Sequence, residues 1–113
     1  MQHDVVHFKG RSGKMVPFTR FPITTTLLKG GAIYILLSEI APRAFEVISI
    51  HHTTNIGGED VKDTSTQAIF SDKGSHICVH FEEDDDLRRA IKEDIAFEYF
   101  GDIEPVFASL AAE

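Results

Sequence analysis

A chain of 113 residues, 42% apolar and 26% charged with a net charge of −7, has the length and composition of one globular domain of residues 1–113. That composition excludes an intrinsically disordered chain, and the longest unbroken apolar run, Ala32 to Leu37, is far short of the roughly 20 residues of a membrane helix. Met-Gln-His-Asp has no basic segment leading into an apolar stretch, and the one cysteine, Cys78, cannot close an intramolecular disulfide, so a cytoplasmic protein without membrane contact is expected.

In chain order, His3 to Phe8 alternates and predicts a strand. Lys9 to Lys14 is punctuated by Gly10 and Gly13 and reads as a turn or loop. Pro17 and Pro22 bracket an extended segment at a sheet edge, because proline cannot donate to a ladder. Ile23 to Leu28 is rich in β-branched residues and reads as a strand, followed by a turn at Lys29-Gly30-Gly31. Ala32 to Ile40 admits two readings, since Ile33, Leu36, Leu37 and Ile40 also fit a helical stripe. The strand is preferred because the segment follows a Gly-Gly turn and contains Ile-Tyr-Ile. Ala44 to His52 completes a three-strand meander.

Thr53 to Thr66 reads as a long polar loop, and a loop of this length in a compact domain is expected to be mobile or functional. Gln67 to Phe70, the turn Ser71 to Gly74, and Ser75 to Glu82 predict a hairpin. Its second arm places Ile77, Val79 and Phe81 on a buried face and His76, Cys78, His80 and Glu82 on the other. The acids at 84–86 open a helix running to about Phe100, with an apolar stripe of Leu87, Ala90, Ile91 and Ile95 and an Arg89–Glu93 pair. Gly101 stops it, and Pro105 to Leu110 reads as a short last helix. The expected fold is α+β: an antiparallel sheet of five or six strands, meander plus hairpin, covered on one face by the C-terminal helix. Most of the nine Phe are expected in its core.

Charge is divided unevenly. Residues 1–30 carry Lys9, Arg11, Lys14, Arg20 and Lys29 against Asp4 alone, whereas residues 31–113 carry six basic and seventeen acidic groups. The densest run is Glu82-Glu83-Asp84-Asp85-Asp86. An acidic surface repels phosphate backbones and attracts basic proteins, so a basic protein partner is expected and nucleic acid is not. Gly10 to Lys14 lacks the spacing of a phosphate-binding loop.

Two further constellations carry possible chemistry. His76, Cys78 and His80 alternate on one strand face, roughly 7 Å apart by strand rise, and imidazole and thiolate suit zinc or copper; His51 or His52, at the end of a neighbouring strand, would supply a fourth ligand. Asp94 and Glu98 share a helix face at i,i+4, the spacing of a carboxylate pair for acid–base work or of two solvated acids. The leading functional expectation is a small acidic inhibitor or protein-binding module that covers a basic surface, as toxin-neutralising immunity proteins do, with no cofactor. The alternative is a small metal- or ligand-binding enzyme centred on His76, Cys78 and His80.

Overall fold

A computed structural model of the protein describes residues 4–100. Five strands, β1 (Asp4–Lys9), β2 (Met15–Pro22), β3 (Ala32–Ala41), β4 (Ala44–Thr53) and β5 (His76–Phe81), form one antiparallel sheet in the order β1-β2-β5-β3-β4. The described residues also form two helices, giving an α+β fold: α1 (Glu59–Asp72) between β4 and β5, and α2 (Asp85–Phe100) after β5. Among the described residues no helix is long and apolar enough to cross a membrane. The short helix expected from Pro105 to Leu110, and the stop at Gly101, lie outside the described residues.

The sheet is not the expected meander plus hairpin. β5 enters the middle, pairing with β2 through Thr19↔Val79 and with β3 through Tyr34↔Val79. Since β4 and β5 are both antiparallel to β3, they run parallel to each other. Parallel strands need a long crossover, and α1 supplies it. The segment read as a polar loop followed by a hairpin arm is therefore mostly helix, from Glu59 to Asp72.

Local chemistry accounts for α1. Glu59 and Asp60 occupy its first turn, where the helix dipole favours acids, and it ends with Lys73 in the left-handed conformation before Gly74. Its buried face consists of Val61, Ser65 and Ala68, a narrow stripe of small side chains. The Ile23 to Leu28 stretch is not a strand. It leaves β2 through a turn and crosses over to β3 as irregular chain, held where the Ile23 amide donates to the Ser75 carbonyl.

Helices cover both faces of the sheet, not one. On one side Phe8, Phe18, Ile33, Ile35, Leu37, Ile50 and Cys78 pack with Ile95 and Ala96 of α2. On the other, Tyr34, Leu36, Ile77 and Val79 pack with Val61 and Ala68 of α1 and with Ile56. This explains why β3 is buried continuously from Ala32 to Ser38, the pattern of a central strand covered on both faces. It also corrects the β5 assignment: Ile77 and Val79 are buried as expected, but so is Cys78, while Phe81 at the strand end is 51% exposed. Among the phenylalanines of the described residues only Phe8 and Phe18 are buried, and Phe70 stands in solvent.

The buried face of α2 is also displaced from the expected stripe. Leu87 and Ala90 are exposed, and the buried positions are Arg88, Ile95 and Ala96. Arg89 pairs with Asp85 one turn earlier, at 3.2 Å.

Candidate functional site

The acidic run sits at the junction of β5 and α2, and most of it organises that junction. The Asp84 carboxylate accepts the Leu87 amide at 3.0 Å, an N-cap bond that satisfies one of the free amides of the helix start. The Glu82 carboxylate accepts the Asp84 amide, and that of Glu83 accepts the Gly31 amide. Asp85 bridges two cations, accepting from Arg88 at 2.6 Å and from Arg89 at 3.2 Å. Arg88 is the unexpected member. Its side chain is only 3% exposed, and Nη1 donates to the carbonyls of Glu82 and Glu83. A Cβ on Gly31 would stand 2.2 Å from that Nη1, so the glycine makes room for the guanidinium.

The outer surface of this junction remains open. Glu83, Asp84, Asp85 and Asp86 are all exposed, and Leu87 and Phe81, each 51% exposed, flank the acids along the chain. Phe81 lies beside Gly30, on the β2–β3 connection that also carries the exposed Leu28. Phe81 and the Glu83 carboxylate both stand beside Gly30, so an exposed acid and an exposed aromatic ring are neighbours at this junction.

The sheet face carrying the candidate metal ligands looks different. Cys78 is fully buried under α2, and burial pushes its thiol up to about 12, so the thiolate that binds metal is disfavoured. His76 Nδ1 lies 2.8 Å from Ser75 Oγ and its ring meets Phe45 edge-on. His80 Nδ1 lies 2.8 Å from the Pro17 carbonyl, with its ring against Phe18. His52 sits on β4, its proton affinity lowered by burial and by Lys92 and Arg89 of α2. Among the described residues no three potential ligands converge on a common point.

Asp94 has a structural partner. It accepts from both the amide and the hydroxyl of Ser12, at 3.0 and 2.7 Å, while the Arg11 amide donates to the Asp94 carbonyl. Arg11 stacks over Phe97 at 3.9 Å. The Gly10–Lys14 turn is thereby clamped onto α2 rather than presented to a phosphate, and Glu98 stays in solvent.

Two shallow grooves flank α1. One, of about 290 Å³, lies between α1 and the β2–β3 connection, with Ile23, Leu27, Ile56 and Ile69 as its apolar lining and Thr24 to Thr26 as its polar one. The other, of about 250 Å³, lies between α1 and β4 and includes Ser49, His51, Thr64 and Gln67. The polar lining of the first comes from the β2–β3 connection and α1, that of the second from β4 and α1, and no motif in the sequence marks these side chains. Only an i,i+2 reading of Ser49 and His51 on one strand face would have found the second. Compared with protein-family models, curated proteins and solved structures, the chain matches none.

Proposed function

We propose that this chain is a small protein-binding module that engages a basic partner through the surface at the start of α2. The observation that carries this reading is the exposure of Phe81 and Leu87 at the two ends of the exposed acidic run Glu83 to Asp86. Interfaces draw their affinity from a few bulky side chains desolvated at the centre, and their specificity and association rate from charge around them. Both components are present at this junction. The buried Arg88 contributes indirectly: it holds the Glu82 and Glu83 backbone and Asp85 in place, so the surface is pre-organised and loses little entropy on binding. An inhibitor that covers a basic site is the simplest member of this class.

The test separates the two components. Asp86→Asn removes a charge without touching the Asp84 cap, and Phe81→Ser with Leu87→Ser removes the anchors. Proteins captured from the native host on the unaltered chain are measured against each variant. A true partner associates more slowly with Asp86→Asn and as ionic strength rises past the point where the Debye length is about 8 Å. It dissociates faster from the Phe81→Ser/Leu87→Ser variant. A captured partner whose kinetics ignore salt and both variants overturns the reading.

A further inference from the structure

The groove between α1 and β4 contains a pair that nothing above uses. Ser49 and His51 stand on the same face of β4, and His51 Nε2 lies 2.8 Å from Ser49 Oγ. Both line the groove together with Leu36 and Ile48 of the sheet, and its far wall is α1, with Gln67, Ala68, Ser71 and Asp72. The imidazole is held by stacking on Tyr34, ring centroids 4.9 Å apart and planes 23° from parallel. Tyr34 is fixed in turn by Thr64, which donates its own hydroxyl proton to the Asp60 carbonyl. A hydroxyl within hydrogen-bond reach of an oriented imidazole in an open groove is the arrangement of an activated nucleophile and its base.

We propose that Ser49 and His51 form a nucleophile–base pair for acyl transfer from small neutral or cationic esters. The charge preference follows from the lining, which includes Asp72 and has no lysine or arginine. In the reactive tautomer Nδ1 carries the ring proton and Nε2 accepts from Ser49. The Oγ lone pair attacks the ester carbonyl carbon, the π pair moves onto the carbonyl oxygen, and the hydroxyl proton passes to Nε2. Collapse of the tetrahedral species breaks the bond to the alkoxide, which takes that proton from the imidazolium. Water, deprotonated by the same Nε2, then attacks the acyl carbon; collapse breaks the bond to Oγ, which takes the proton back from the imidazolium as the carboxylic acid is released. Burial and the Lys92 and His52 charges hold the His51 proton affinity below the ordinary histidine range, so the ring is a free base at neutral pH. The other charged groups around it are Asp72, in the α1 wall, and Asp60, beside Tyr34. This inference concerns a different face from the α2 junction and stands or falls separately.

The experiment uses the full chain with three probes: a fluorophosphonate, p-nitrophenyl acetate and acetylthiocholine. Expected are a single adduct mapped to Ser49 by mass spectrometry, and turnover of at least one ester. Loss of turnover on the order of 100-fold or more is expected in Ser49→Ala and in His51→Gln. Activity should fall with decreasing pH through a midpoint below 6.5. Ser49→Ala keeps the strand intact, and its thermal melt confirms that a loss is chemical. Absence of a Ser49 adduct on the folded chain overturns the proposal. So does hydrolysis that survives in Ser49→Ala but not in His51→Gln, because the imidazole alone would then be the nucleophile.

Discussion

Replacing Arg88 with Met tests whether the buried guanidinium, rather than the carboxylates around it, holds the β5–α2 junction together. Arg88 Nη1 donates to two backbone carbonyls, Glu82 at 2.9 Å and Glu83 at 3.0 Å, and Nη2 donates to Asp85 at 2.6 Å. Hydrogen bonds from a charged donor contribute about 1.5–3 kcal/mol each. The Asp85 contact counts for little, since its carboxylate is 56% exposed and solvent takes over when the cation goes. Methionine retains most of the apolar stem and removes the desolvation cost of a buried cation, which offsets part of the loss. It cannot satisfy the two carbonyls. The net expectation is a loss of about 2–4 kcal/mol, against under about 1 kcal/mol for Asp85→Asn. Urea unfolding with an unchanged denaturant slope measures both. If Arg88→Met is as stable as the unaltered chain, desolvation cancels the bonds, and the junction rests on the Asp84 cap and apolar packing instead.

Further predictions address the other interactions. Asp94→Ala should release the Gly10–Lys14 turn and lower stability by about 1–2 kcal/mol, seen as faster amide exchange of Arg11 and Ser12. Gly10→Ala should do similar damage, because its Cβ would stand 1.9 Å from the Asp94 carboxylate; an unchanged melting temperature for both would refute the clamp. Cys78 should resist alkylation in the folded chain at pH 8 and react only at the rate of unfolding, since burial raises its thiol to about 12. His51 has a folded proton affinity below its unfolded one, so the unfolded state binds more protons as pH falls through 6.5. Stability should therefore be fully present above that value and decline below it, and His51→Gln should flatten the urea midpoint across this window.

The parts of the fold legible in the sequence were those with a local cause. β3, β4, β5 and α2 follow from β-branched runs, alternation and an acidic helix start, and each lies close to its expected boundaries. α1 was not legible because its buried stripe is Val61, Ser65 and Ala68, with no large apolar side chain to set a 3.6-residue period. Its many Ser, Thr and Asp residues favour turns when read one by one, and tertiary packing on the sheet overrides that preference. Without that period, Gln67 to Phe70 reads as a strand, and the expected hairpin follows from it. Strand order is not legible for a related reason: β5 pairs with β2 and β3, which are distant in sequence, and local turn chemistry carries no information about such pairing.

The candidate surface was legible in its charge but not in its construction. Five consecutive acids predict a negative surface, yet the sequence does not show that four of them bond to backbone amides or to an arginine, one of the amides being that of the distant Gly31. The missing piece is Arg88, which reads as an ordinary solvent-facing residue of a helix. It becomes buried because α2 turns Leu87 outward, and Leu87 can face outward because Ile95 and Ala96 already provide the contact with the sheet. A helix that leaves a leucine in solvent and buries an arginine runs against the usual economy of folding. The exchange is intelligible if the arginine fixes the acidic backbone and the leucine is kept for a partner. The Leu87→Ser variant makes that distinction measurable. If the exposed leucine serves binding, the substitution should leave the unfolding midpoint within about 0.5 kcal/mol of the original while weakening the captured complex. A comparable loss of stability would mean that Leu87 supports the fold and that the surface has no apolar anchor there.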